Sequence, residues 1–421
     1  MRADPGESIT MQPARIAVVS PFIDKRHGTE RRIAEWIARL QEDYEIHIYS
    51  QRVEDVDLAR MRWHRIPQIP GPHLINFIWW LAANHLWRWW DAHFRGLPCE
   101  LVYTAGTNCW DADLISVHIV FAEFVRMAEP ELRLLGNPVR FWPRLIHRRL
   151  YYRLVIFLER RMYTNPKTGL ILIAKKTAAD LKRHYGIDSP LPVVYIGLDH
   201  KIFNRELRLR NRPEVRRQLG FAGDTFVLVL VGNDWKKKGL VALIEALAQL
   251  KDLPLVLVVA GKDDPAPYRK RIRELGLEGK VTFQPSRPDV QWYYAAADIY
   301  VGPSLEDTFA QPPTEAMGCG LPVITTATNG TAEIMTDGVD GLVLQDPNDV
   351  GGLAAQIRWL YDNPELRDRM AAQAAVTASQ YTWDRNGVEM RAIFSEKLNR
   401  KGPVELKQQI RAKQGLRSGK S

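Results

Sequence analysis

Two acids, Asp307 and Glu315, stand eight positions apart in the run Pro303 to Thr326, PSLEDTFAQPPTEAMGCGLPVITT. A strand-like segment ends at Pro303-Ser304, a loop carries Asp307, and Pro312-Pro313 mark a short helix with Glu315 expected in its first turn. Proline suits that turn because the first backbone N–H groups of a helix have no internal partner. Free N–H groups and the positive helix end suit a diphosphate, and acids on either side of it can grip hydroxyls. A second group lies in VGNDWKKKGLVALIEAL, where Lys236, Lys237 and Lys238 sit between a strand-like run and an amphipathic segment. Lysines after a strand are normally plain solvated surface, and on the residues alone that reading prevails; cations so placed are also what a reaction needs when charge grows on a leaving group. Gly28 follows the first strand and opens a helix-like stretch, with Thr29 as a plausible cap. His118 lies among apolar residues near the end of the run ADLISVHIV, a place where histidine is usually a satisfied core or rim residue.

The elements that must position these residues follow from the hydrophobic pattern. Strands are expected at ARIAVVSPF, YEIHIYS, ELVYTAG, ADLISVHIV, GLILIA and LPVVYIG, and then at FVLVLVG, LPLVLVVAG, KVTFQP, ADIYVGPS, LPVITTA and GLVL. Continuous β-rich runs alternating with helical stretches signal parallel sheets covered on both faces. The fold class is therefore α/β, with two Rossmann-like parallel-sheet domains. We place the first at 12–197 and the second at 214–382, with a helix at about 383–399 packing back on the first and a basic disordered tail at 400–421. In open parallel sheets ligands bind outside the carboxyl ends of the strands, so two such domains facing across a cleft would gather the residues above.

Composition narrows the function classes. The 421 residues are 46% hydrophobic and 25% charged, as in globular proteins. The net charge of +9 is concentrated: seven Lys/Arg against one Glu in 400–421, and seven Arg against one Glu in 140–161. That pattern argues against a general nucleic-acid surface. The three cysteines have neither metal nor disulfide spacing, which points to a reducing, cytoplasmic setting. The residues ahead of Met11 have early acids and no apolar core, so they read as a loose extension rather than a secretory signal. His73 to Arg95 holds five of the thirteen tryptophans but is broken by His85, Arg88 and Asp91, so a spanning helix is not expected. With the arginine-rich segment it instead suits contact with an anionic membrane surface, peripherally on the inner face, against the alternative of a helix packed on its own sheet.

The Pro303–Thr326 block resembles the signature of retaining GT-B glycosyltransferases of family 4, the glycosyl transferases group 1. The resemblance is dense from about Gly169 to Trp383 and thin between Trp63 and Trp110. It implies that Asp307 touches the donor sugar, that Glu315 binds the nucleotide ribose, and that the backbone amides of Phe309 and Ala310 meet sugar or phosphate. Asp307 stands where Glu is commoner. Lys238 and Gly239 match the family's Lys-Gly pair, which neutralises the departing diphosphate. Asn233 stands where an Arg is usual, with Lys237 or Lys236 as substitutes. Gly28 matches the second glycine of the family's Gly-rich loop and His27 replaces the first. His118 matches a histidine that hydrogen-bonds the donor sugar. Ile196 replaces a typical Asn, while Glu333 and Gly341 are in their usual places. The resemblance implies a UDP- or GDP-sugar donor, a glycan or lipid-linked acceptor, retention of configuration, and no metal or other cofactor. The competing reading is a non-catalytic protein that binds or senses nucleotide sugars. An epimerase or a phosphorylase of the same shape lacks its signature here.

Overall fold

The computed structural model describes residues 13–25, 28–132 and 138–414. Met1–Met11 and His27 lie outside them. The first eight strands are β1 (Arg15–Val19), β2 (Phe22–Ile23), β3 (Glu45–Ser50), β4 (Arg52–Val53), β5 (Met61–Arg65), β6 (Leu101–Ala105), β7 (Leu114–Val117) and β8 (Gly169–Leu172). The next six are β9 (Phe226–Val231), β10 (Leu255–Gly261), β11 (Val281–Pro285), β12 (Ile299–Gly302), β13 (Val323–Thr326) and β14 (Gly341–Leu344). The sheets run β5-β3-β1-β6-β7-β8 and β11-β10-β9-β12-β13-β14, while β2 and β4 pair separately. In each six-stranded sheet the first strand is central and the order reverses beside it. That is the doubly wound Rossmann order, built twice.

Residues such as Val227 to Leu230 are fully buried along every position, which explains the unbroken apolar runs. Two corrections concern strands. The segment Leu191–Gly197, expected as a strand, forms a single bridge between Leu172 and Val193; Pro192 has no N–H to give a ladder. Conversely, Met61–Arg65 was not anticipated. It is an edge strand with exposed Arg62 and Arg65, so it lacks the apolar run that marks its neighbours.

The chain divides into two compact units, 1–171 with 181–192 and 387–421, and 172–180 with 193–386. The single break expected at 197–213 is therefore replaced by several crossings. Ile173 and Ala174 belong to the second unit because they pack with Ile196, Phe309, Ile334 and Trp383. The helix Trp383–Gln414 is longer than expected, and the helical part of the segment foreseen as a disordered tail extends to Gln414. Residues 404–414 are mostly types of high helix propensity, which lets the helix continue; 415–421 lie outside the described residues.

From Gly387 onward that helix builds the core of the first unit. Phe394 is fully buried and its ring lies 5.3 Å from Trp36 and 5.7 Å from Tyr103. Tyr44 Oη and Ser395 Oγ are 2.9 Å apart, and Arg391 Nε donates to Asp43 Oδ2 at 2.7 Å. Phe394→Ala should cost about 3–5 kcal/mol through lost burial and the cavity left. Denaturant unfolding of the full chain should show it in the transition of the first unit.

Candidate active site

In the second unit the strand order reverses between β9 and β12, so the loops after these strands flank the switch point where ligands bind. The β9 loop turns sharply: Asp234 and Gly239 have φ of 58° and 78°. Asp263 secures it, accepting the N–H groups of Asp234 at 3.1 Å and Trp235 at 2.7 Å. The buried Trp235 indole donates to the Gly232 carbonyl at 2.9 Å. A Cβ on Gly239 would sit 1.9 Å from the Pro303 oxygen, so only glycine allows the two loops to meet this closely. Leu305 N–H then donates to the Lys237 carbonyl at 2.8 Å. The outcome is an ion pair between Lys238 Nζ and Asp307 Oδ2 at 2.5 Å, joining residues 69 apart in sequence. Both side chains are largely shielded, where such a pair is stronger than at the surface.

The β12 loop is pinned to the segment after β13. Thr326 and Thr328 hydroxyls donate to the Ser304 carbonyl at 2.6 and 2.7 Å, and Thr331 Oγ1 donates to the Ala310 carbonyl at 2.7 Å. The Phe309 side chain is buried with Ile173, Ile196 and Trp383, so its ring anchors the loop. Ala310 N–H donates to Asn329 Oδ1 at a long 3.3 Å, so that amide already has a partner. Asn329 was not singled out from the sequence. It is buried, also accepts Thr331 N–H at 3.0 Å and donates to Thr325 Oγ1 at 3.2 Å. An Asn just before Gly-Thr is the available signal, since Asn favours caps and turns.

The helix after this loop is Gln311–Gly318, with Ala310 as its N-cap and no side-chain cap. This corrects two expectations. Glu315 is the fifth residue and so lies beyond the first turn. Pro312 and Pro313 carry no N–H, so of the positions Ala310 to Pro313 only Gln311 keeps an uncommitted first-turn donor among the described bonds. The dipole remains, but fewer amides point outward than the expectation assumed. Glu315 is buried and accepts the Tyr294 hydroxyl at 2.9 Å on Oε2. Burial, reinforced by Glu315, holds Tyr294 protonated far above its ordinary range.

Lys237 is half-exposed and pairs with Asp234 at 3.1 Å, so its side chain has a surface partner of its own. Asn233 Oδ1 accepts Lys262 N–H at 3.0 Å, tying the β9 loop to the one after β10. Glu333 and Gly341 have local reasons. Glu333 accepts the N–H groups of Lys175 and Lys176, both at 2.6 Å, at the start of the helix Lys176–Tyr185. A Cβ on Gly341 would meet Met335 and the Val323 carbonyl.

Gly28 and His118 belong to the first unit. Gly28 opens the helix Gly28–Leu40 with open space where a Cβ would be, so local packing does not demand glycine. His118 Nε2 lies 3.4 Å from Arg32 Nη1, and Nδ1 lies 3.1 Å from Thr29 Oγ1. A guanidinium only donates, so Nε2 is the acceptor and Nδ1 carries the proton toward Thr29. Burial, with the Arg32 charge beside it, pushes the His118 pKa well below 6.5. The neutral ring is a hydrogen-bonding group rather than an acid. Among the described residues no group of three His, Cys, Asp or Glu side chains is placed to hold a metal ion.

The sign of the pH effect follows. The unfolded chain protonates His118 near 6.5 while the folded one does not, so this residue's contribution is complete above that pH and declines below it. His118→Gln should remove that part of the acid slope. Unfolding at about pH 5 and about pH 7.5 checks it; an unchanged slope would show that His118 is protonated in the fold.

A family profile described as glycosyl transferases group 1 matches residues 211–377. The D-inositol 3-phosphate glycosyltransferase of Thermomonospora curvata is 32% identical over 233 residues, 51% of this chain and 54% of that protein. The chain spans about half the length of these curated relatives. The lipopolysaccharide glucosyltransferase WaaG of Escherichia coli (strain K12) is 30% identical over 296 residues, 68% of this chain and 74% of that one. A crystal structure of WaaG superposes with a TM-score of 0.70 at 23% identity, covering 90% of this chain and 98% of that one, which shows a shared GT-B fold. With the sequence match extending over three quarters of WaaG and the profile over the unit that holds Lys238 and Asp307, the chain belongs to the glycosyl transferases group 1 family.

Proposed function

We propose that this chain transfers a sugar from a nucleotide-diphosphate donor, UDP- or GDP-linked, to a hydroxyl of a glycan or lipid-linked acceptor. The observation that carries the reading is the Lys238–Asp307 pair at the switch point, beside the start of the helix that carries the buried Glu315. An ammonium that rests against Asp307 gains a more highly charged partner when a diphosphate arrives. As the bond from the anomeric carbon to the β-phosphate oxygen breaks, negative charge grows on that phosphate and Lys238 stabilises it most at that moment. With two prolines in the first turn, more of this task falls on the lysine and less on helix amides. Asp307, released, accepts hydroxyls of the donor sugar. Glu315, with Tyr294 donating to one oxygen, accepts ribose hydroxyls. His118, neutral, hydrogen-bonds a substrate hydroxyl, and Gly28 leaves room for a ligand to approach the backbone. In the retaining course we propose, the acceptor attacks from the face the diphosphate leaves. A phosphate oxygen takes its proton, and no metal is required.

Lys238→Ala should lower kcat/KM by about 10²–10³, the cost of one charge-stabilising donor. Glu315→Ala should lower it at least about tenfold, mostly through KM. Nucleotide release from a panel of UDP-, GDP- and ADP-sugars reads both. Near-normal rates in either variant remove that residue from the site. Thermal protection by a nucleotide without turnover of any donor would instead favour the non-catalytic sensor.

The acceptor side of the proposal rests on the helices His73–Phe94 and Trp142–Tyr163 of the first unit. Leu74 N–H donates to His147 Nε2 at 3.2 Å, and the His73 and Tyr151 rings meet at 4.5 Å. Each helix exposes an apolar stripe at helical spacing: Ile75, Ile78, Leu86 and Trp89 on one, Ile146, Leu150 and Phe157 on the other. Exposed Arg144, Arg148, Arg153 and Arg160 flank the second stripe. Neither helix can cross a membrane, but an apolar ridge bordered by arginines suits the interface of an anionic bilayer. The chain should float with vesicles of phosphatidylcholine and phosphatidylglycerol at low salt, and Leu86→Glu with Leu150→Glu should abolish this. No flotation by the unaltered chain would sink the membrane contact.

A further inference from the structure

Lys176 is the first residue of the helix Lys176–Tyr185, where the dipole disfavours a cation. Its ammonium turns away from its own helix and meets three oxygens elsewhere in the second unit, to which Lys176 itself belongs: a Glu306 carboxylate oxygen, the Asp307 carbonyl at 3.2 Å and the Thr328 carbonyl at 2.7 Å. An ammonium has three N–H donors, so all are committed and none remains for a ligand. Two of the acceptors are already part of one backbone bridge. Asp307 N–H donates to the Thr328 carbonyl at 3.3 Å, and Gly330 N–H donates to the Asp307 carbonyl at 3.0 Å. Lys176 therefore ties together both strands of the bridge that carries Asp307, and does so from a third segment of the chain. Gly330 lies so close to the Asp307 loop that a Cβ there would sit 1.8 Å from the Thr308 oxygen, so the bridge needs glycine at this position.

We propose that Lys176 is a positioning residue that fixes the backbone of Asp307, so that this short acid reaches Lys238 at rest and the donor sugar when Lys238 turns to phosphate. The inference rests on the donor reading above for its catalytic consequence. A side chain with one methylene fewer than Glu tolerates less displacement of its backbone, so the clamp matters more here than it would under a longer acid. Glu306 serves as the counter-charge of the clamp.

Three variants test it: Lys176→Met, Lys176→Arg and Glu306→Gln. In Lys176→Met the amides of Asp307 and Gly330 should exchange with solvent about tenfold faster or more, while amides of the β9 and β10 strands stay protected. For the best donor of the panel, kcat should fall about tenfold to a hundredfold, as for a misplaced reacting group, while the affinity for the free UDP or GDP of that donor changes by less than about twofold. Lys176→Arg should recover part of kcat, and Glu306→Gln should resemble a milder Lys176→Met. Unchanged exchange at the two amides, or equal losses in kcat and nucleotide affinity, overturn the proposal. An unaltered chain that turns over no donor overturns the donor reading instead, and the exchange comparison still decides whether the clamp exists.

Discussion

The approach of Gly239 to Pro303 leaves no room for a Cβ, and the left-handed turn at Gly239 adds a second reason for glycine. This contact sets the distance between the loops that follow β9 and β12. Were they an ångström or two farther apart, Lys238 and Asp307 would be two charges in water rather than a shielded pair. The doubly wound strand order puts these loops side by side, Asp263 and Trp235 hold one of them, and the threonines after β13 hold the other. Each support is modest. Together they hold opposite charges in contact at the strand ends of the second unit.

The first unit uses different means for a similar end. Its parallel sheet follows the same order, but its core is completed by residues from the far end of the chain, with Phe394 set among Trp36, Tyr44 and Tyr103. Its candidate polar group, His118, is kept neutral by burial and by Arg32. A neutral ring beside a fixed cation can exchange hydrogen bonds with a hydroxyl but cannot gain a proton cheaply, which suits recognition. The exposed apolar stripes of the same unit are unusual for a surface and give the lipid proposal its physical content.

Much of the architecture was legible because a strand covered on both faces must be apolar at every position. The central strands β9, β10 and β12 announced themselves in this way, while the edge strand β11, VTFQP, was legible from its β-branched and aromatic residues although it is only half-buried. Met61–Arg65 did not, since an edge strand is solvated and its residues alternate irregularly. Leu191–Gly197 misled in the other direction, having strand-like composition but a proline where the ladder needs a donor. The domain boundaries were legible only in outline. Whether Ile173 and Ala174 pack with one unit or the other depends on partners such as Phe309 and Trp383, which lie more than a hundred residues away.

By itself the sequence determined the two alternating strand–helix blocks and the segments that carry Asp307, Glu315, Lys238, Gly28 and His118, because periodicity and motif spacing are local properties. Only the tertiary structure decided that Lys238 rests on Asp307, that Glu315 lies past the first turn against Tyr294, that Asn329 takes the Ala310 amide, and that Lys176 clamps the same loop. Each of these joins positions distant in the chain, and short-range preference carries no information about which distant group will be within hydrogen-bond reach. That choice belongs to packing, where one absent Cβ at Gly239 admits a contact that no neighbour in sequence could have specified.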